Sequence, residues 1–170
     1  MTARYSAEDL AALAMASAIF ISIYVGLTGI VSALAPIAGQ LFGAKRLHEI
    51  GEEVRQATWL AIGLSILGCL VLLNADHLLD LAHASAEIHA KANLYLSILA
   101  IGLPASLGMR VLMGLHNAVS RPAVITAVQL AGLALKLPLN ALFIYGGFGI
   151  EAMGGPGCAV ATVIVTWLWL

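Results

Sequence analysis

Residues 10–44 read LAALAMASAIFISIYVGLTGIVSALAPIAGQLFGA, 35 positions without one Asp, Glu, Lys or Arg. A helix that spans the hydrocarbon core of a bilayer takes about 20 apolar residues. This stretch is long enough to cross and to continue past the interface. The same four residue types are absent from 57–75, 92–109 and 152–170, and from 123–150 apart from Lys136. Backbone groups in lipid are satisfied only within helices or closed barrels. Barrel strands would alternate over segments of about ten residues, whereas these runs are continuous Leu, Ala, Ile, Val and Gly over 18 positions or more. The reading is an all-α polytopic membrane protein with five transmembrane helices, at about 9–35, 54–75, 88–116, 122–146 and 157–170.

Composition agrees. The chain is 61% hydrophobic and 10% charged, with mean hydropathy +0.98. A soluble domain carries about 25% charged residues to wet its surface. A net charge of −1 without a dense basic stretch points away from nucleic acid. Cys69 and Cys158 form no CxxC pair and read as small packing residues. Residues 1–9 carry no short apolar core with a cleavage site, so no secretory signal is read there.

Charge sets direction, because short cytoplasmic loops collect Lys and Arg. Lys45, Arg46, Arg55, Arg110 and Arg121 lie toward one side, and only Arg4 and Lys91 toward the other. The first-to-second and third-to-fourth links are therefore expected in the cytoplasm and Met1 outside, with no signal to send it there. After Gly157 only 13 residues follow, about 20 Å of helix against a core of about 30 Å. Both features suggest an internal piece of a longer transporter-like protein, with a helix missing before Met1.

Pro36 and Gly39 are expected to close the first helix, with Gln40 capping the turn. Pro104 is expected to kink the third, and Pro122 to start the fourth. Within the fourth, Thr126, Gln129, Lys136 and Asn140 share an arc of about 80°. Lys136 falls near mid-span, where insertion costs about 3 kcal/mol. Such a side chain either lines a watery cavity or meets an acid, or snorkels to an interface while Asn140 bonds a neighbouring helix. Pro138, between them, frees backbone carbonyls of the kind that line binding cavities. A weaker stripe runs through Ser17, Tyr24, Thr28 and Ser32, open to packing or cavity lining. Asp76, His77, Asp80, His83, Glu87 and His89 read as an interfacial link before they read as a metal site. Trp59, Trp167 and Trp169 read as interface or packing aromatics. No constellation suggests covalent or hydrolytic chemistry, so a non-enzyme is expected.

Four blocks, in order, resemble the multidrug and toxic compound extrusion transporters of the NorM-like branch. They are 35–44 (APIAGQLFGA, with Pro36, Gln40 and Gly43), 117–122 (NAVSRP), 137–146 (LPLNALFIYG) and 154–162 (GGPGCAVAT). The resemblance implies a twelve-helix antiporter of two lobes, this chain matching helices two to six of the first. It implies a bacterial inner-membrane location, a coupling ion, Na⁺ or H⁺, in place of any cofactor, and bulky, often cationic amphipathic compounds as cargo. It assigns Asn140 to the cavity and to cation binding, and puts Lys136 where relatives usually carry Asn. The first helix and second lobe, with their carboxylates, would be missing partners, and the fragment alone is expected to be inactive. A lipid-linked glycan flippase of the same superfamily and a non-transporting membrane subunit are the alternatives.

Overall fold

The structure is a computed structural model, and it describes residues 7–76, 79, 86–120, 122–146 and 155–170. The regular elements among them are all helices: α1 (Ala7–Val31), α2 (Leu34–Gly43), α3 (Leu47–Leu73), α4 (Ala86–Ala118), α5 (Pro122–Tyr145) and α6 (Gly155–Trp169). Four stretches are long and apolar enough to cross a bilayer, α1 and α2 counting together, and α6 adds a shorter apolar helix. The all-α polytopic expectation stands, and two boundaries differ.

The first apolar run is two helices, not one that closes at Pro36 and Gly39. Pro36 has no N–H to give to Ser32, four residues back. The chain breaks one turn earlier. Val31 ends α1, and the N–H groups of Ala33 and Ala35 make tighter three-residue bonds to Ile30 and Ser32, 3.3 Å each. Pro36 then sits in the first turn of α2, where a missing N–H costs nothing. Gly39, Gln40 and Gly43 continue that helix. At its end Ala44 donates to the Gln40 carbonyl, Lys45 to Phe42 and Arg46 to Leu41. Lys45 adopts the left-handed region at φ 60°. This is the Schellman closure that glycine usually makes, and Gln40 caps through its main chain, its side chain staying exposed.

The second difference is at α3, which begins at Leu47 rather than near 54. Ion pairs Arg46–Glu49 and Glu52–Arg55, each three residues apart, support the extra turns. At the far end of α3, Asn93 Nδ2 donates to Asp76 Oδ1 at 2.6 Å and ties α3 to α4. His77, Asp80 and His83 lie outside the described residues, and no group of three metal-binding side chains occurs among those described.

Helix α4 is the axle. It packs against α1, α2, α3 and α6, while α5 rests chiefly on α6. Leu96, Leu99, Leu103, Leu107 and Val111 recur at three- and four-residue spacing along it and are all buried. It runs helical through Pro104. Proline cannot bond the carbonyl four residues back, and its ring disturbs the next. Both carbonyls are taken by side chains of other helices. Cys69 Sγ of α3 donates to Ala100 O at 3.2 Å, and Trp167 Nε1 of α6 donates to Ile101 O at 3.1 Å. Cys69 and Trp167 are thus more than filler: they hold α3 and α6 to the opened backbone. Cys69→Ala is expected to destabilise by about 1 kcal/mol. In a Pro104→Ala background the cost should nearly vanish, because residue 104 then supplies the N–H. Thermal melts of the four proteins in detergent measure this coupling.

Arg110 lies inside α4, as the span 88–116 expected. Setting aside the charges within helices, Arg55, Lys91 and Arg110, leaves Lys45, Arg46 and Arg121 against Arg4, so the bias keeps its sign.

Candidate functional site

A cavity of about 240 Å³ opens between α1, α4, α5 and α6. From α1 come Phe20 and Tyr24, rings stacked at 5.6 Å and 8°. Helix α4 supplies Gly102, Ser106, Met109 and Met113, spaced by four, three and four residues so that one face meets the space. Gln129 enters from α5, and Thr162, Thr166 and Trp169 from α6. The hydroxyls of Ser106, Thr162 and Thr166 donate to carbonyls of their own helices, at 2.9, 2.8 and 2.7 Å. Each hydroxyl proton is thereby used internally, and the oxygens keep lone pairs for a guest. Gln129 Nε2 donates to Met113 Sδ at 3.7 Å, joining α5 to α4 across the wall. Aromatic faces, polarizable thioethers and a few acceptors make a surface suited to flat amphipathic molecules.

Trp169 is seated by a close crossing. Its indole lies against Gly132 of α5, where any Cβ would collide with the ring. At the other end of the same antiparallel pair, Gly157 of α6 lies against the backbone of Phe143 and Ile144. Gly146, at φ 78°, ends α5 in a conformation that suits glycine.

Of the residues singled out from sequence, Tyr24 and Gln129 line this cavity. Thr28 is buried beside it, its hydroxyl donating to Val25 O at 3.2 Å. Thr126 is exposed on α5. Lys136 and Asn140 are half-buried on the stretch of α5 between its two glycine-mediated contacts with α6, and they are not among the lining residues. Asn140 Oδ1 has no exposed surface and no hydrogen-bond partner among the described residues. Pro138 lies inside α5, which runs helical past it.

The reading of single runs missed Phe20, Ser106, the two methionines, the α6 threonines and Trp169. Thr162 and Thr166, and Gly102 and Ser106, are four apart and could have been found as small-polar stripes. It also missed Arg110, which stands one turn from Ser106 and Met113 on that face of α4. Its guanidinium lies over the Tyr24 ring, 6.0 Å from the centroid.

Apolar helices of membrane-spanning length, gathered round an amphipathic cavity and broken by proline and glycine, define a polytopic membrane protein of transporter type. The MatE family model matches residues 1–142. The chain belongs to the MatE family, the multidrug and toxic compound extrusion transporters, as the resemblance implied. It is 36% identical over 168 residues to the "Probable multidrug resistance protein NorM" of Aromatoleum aromaticum, covering 99% of this chain and 36% of that protein. It is 37% identical over 169 residues to the "Multidrug resistance protein MdtK" of Edwardsiella ictaluri, covering 99% and 37%. Among solved structures it is similar to the MATE transporter NorM-NG in complex with rhodamine 6G and a monobody, with TM-score 0.60, 27% identity, and 99% and 37% of the two chains covered. The chain thus spans a little over a third of the length of these relatives. It is a multi-pass protein of the inner membrane.

Proposed function

We propose that this chain forms part of the first lobe of a secondary antiporter that expels amphipathic organic compounds in exchange for Na⁺ or H⁺. The observation that carries the reading is the cavity between α1, α4, α5 and α6, walled by aromatic rings and methionines, in a member of the MatE family. The names of the relatives, and the rhodamine 6G complex of the similar structure, support the substrate class. The cargo would lie against Tyr24, Trp169 and the methionines. The ion would act on the α5 face that carries Thr126, Gln129, Lys136 and Asn140. A ligand shifts the balance between inward- and outward-open states only by its differential affinity for them. Asn140, with a buried acceptor oxygen lacking a partner among the described residues, is the group best placed to gain a contact in one state and lose it in the other. Its neighbour one turn back, Lys136, puts a positive charge on the same face. The chain spans a little over a third of its relatives' length, so exchange is expected only when the rest of such a protein faces it.

Efflux of a cationic dye from cells expressing the intact gene product tests this. Asn140→Ala should slow efflux about tenfold, the size of a typical coupling free energy, at unchanged membrane abundance. Undiminished efflux would remove Asn140 from the mechanism.

A further inference from the structure

We infer that Arg110 gives the cavity a site for a carboxylate on the transported compound. The inference rests on the proposed function and adds to it an anionic recognition element.

The first support is depth. Gly102 is the midpoint of the 33-residue α4. Arg110 lies eight residues beyond it, about 12 Å along the axis, still inside a half-core of about 15 Å. Helical side chains lean toward the N-terminus of their helix, which for Arg110 means back toward mid-span. Its contact with Tyr24 agrees, since Tyr24 lies seven residues before the end of α1. The head group thus turns away from the nearer membrane surface, not out to it.

The second support is the missing counter-charge. The sequence has no Asp or Glu between Ile88 and Ile150, none from Leu10 to His48 and none in 54–75 or 152–170. No helix of this chain can offer Arg110 a carboxylate from within its apolar span. Arginine does not lose its proton in a protein. Arg110 Nε is buried and has no hydrogen-bond partner among the described residues. A buried, charged donor without an acceptor is costly to leave so, and Tyr24 supplies a ring face, not an acceptor.

The third support is position. Arg110 is four residues after Ser106 and three before Met113, both in the cavity wall, and its guanidinium lies over the Tyr24 ring that lines it. A flat guest stacked on the aromatic rings would bring an edge substituent within reach of the guanidinium. A planar carboxylate matches its donor geometry. Lipid phosphates stay at the interface, which the head group faces away from. The occupant that fits is therefore the carboxylate of a zwitterionic or anionic amphipathic guest.

The test uses rhodamine 6G, an ester, and the same dye with its carboxylate free. Binding of both to the purified intact gene product, in neutral detergent, is followed by fluorescence anisotropy. Arg110→Gln should weaken the free-acid dye about tenfold or more, as expected for a charge-assisted hydrogen bond, and leave the ester within about twofold. Arg110→Lys should restore much of the preference, because charge remains while the fork is lost. Equal losses for both dyes would make Arg110 a structural residue, or the partner of a carboxylate elsewhere in the protein, and overturn the inference. No change for either dye would do the same. Failure of the unaltered protein to bind either dye would sink the proposed function and this inference with it.

Discussion

Gly157→Ala is expected to unseat α6 from α5 and to prevent stable assembly of the cavity. A methyl group at this position would run into the carbonyl of Phe143 and the amide of Ile144. These are backbone atoms of a continuous helix, so they cannot turn aside as a side-chain tip can. Overpacking of this kind costs about 1–3 kcal/mol, and more where neighbours are rigid. We expect the upper end. In lipid no hydrophobic force draws helices together, so close contact between small residues supplies much of the association. Gly39→Ala in α2 is the control, because a Cβ there meets nothing within 4 Å. Size-exclusion profiles and melting temperatures in detergent should show Gly157→Ala aggregated or melting far below Gly39→Ala. Matching profiles would mean that α5 and α6 do not approach as described.

Leu103→Ala should produce the other large loss. Leu103 has no exposed surface and fills the junction of α1, α3 and α4, where its side chain and that of Leu27 lie over Gly68. Removing buried methyl groups leaves a cavity as well as lost contacts, together about 2–5 kcal/mol in water-soluble proteins. The transfer part shrinks when the unfolded reference also lies in lipid, so the lower end, about 2 kcal/mol, is expected here. The site offers its own check on cause. Gly68→Ala alone should destabilise, because its methyl group meets Leu103 Cδ2 and Leu27 Cδ1. In the Leu103→Ala background the tip of Leu27 can swing into the vacated space, so the same change should cost little or restore stability. Additive melting shifts would show that the two positions do not share this space.

The sequence made the crossing elements legible because four of the runs are of membrane-crossing length and all are almost free of charge. It made Tyr24 and Gln129 legible as cavity residues because hydroxyl and amide groups are conspicuous in apolar helices. Phe20, Met109, Met113 and Trp169 were not, since an apolar side chain that lines a cavity reads the same as one that meets lipid. Arg110 was hidden for a different reason. The span 88–116 already held it, but a charge that follows a clean apolar run reads as an anchor near the membrane surface. Only the packing puts its guanidinium over the Tyr24 ring. The break at Ser32 and Ala33 is displaced from Pro36 because the lost hydrogen bond is felt four residues upstream.

What the amino-acid order settled by itself is that this chain threads a membrane several times as helices, since burying unpaired backbone groups in lipid leaves no other choice open to such runs. It could not rank those helices. The span of α1 and α2 and that of α3 are the most apolar, yet only 17% and 28% of their apolar 18-residue windows are buried, against 50% for α4 and 11% for α5. Lipid and protein are equally apolar surroundings for a leucine, so hydropathy carries no information about which face meets which. Tertiary packing decided that α4 is the axle, that α5 leans on α6 through Gly132 and Gly157, and that a fixed positive charge sits beside the cavity.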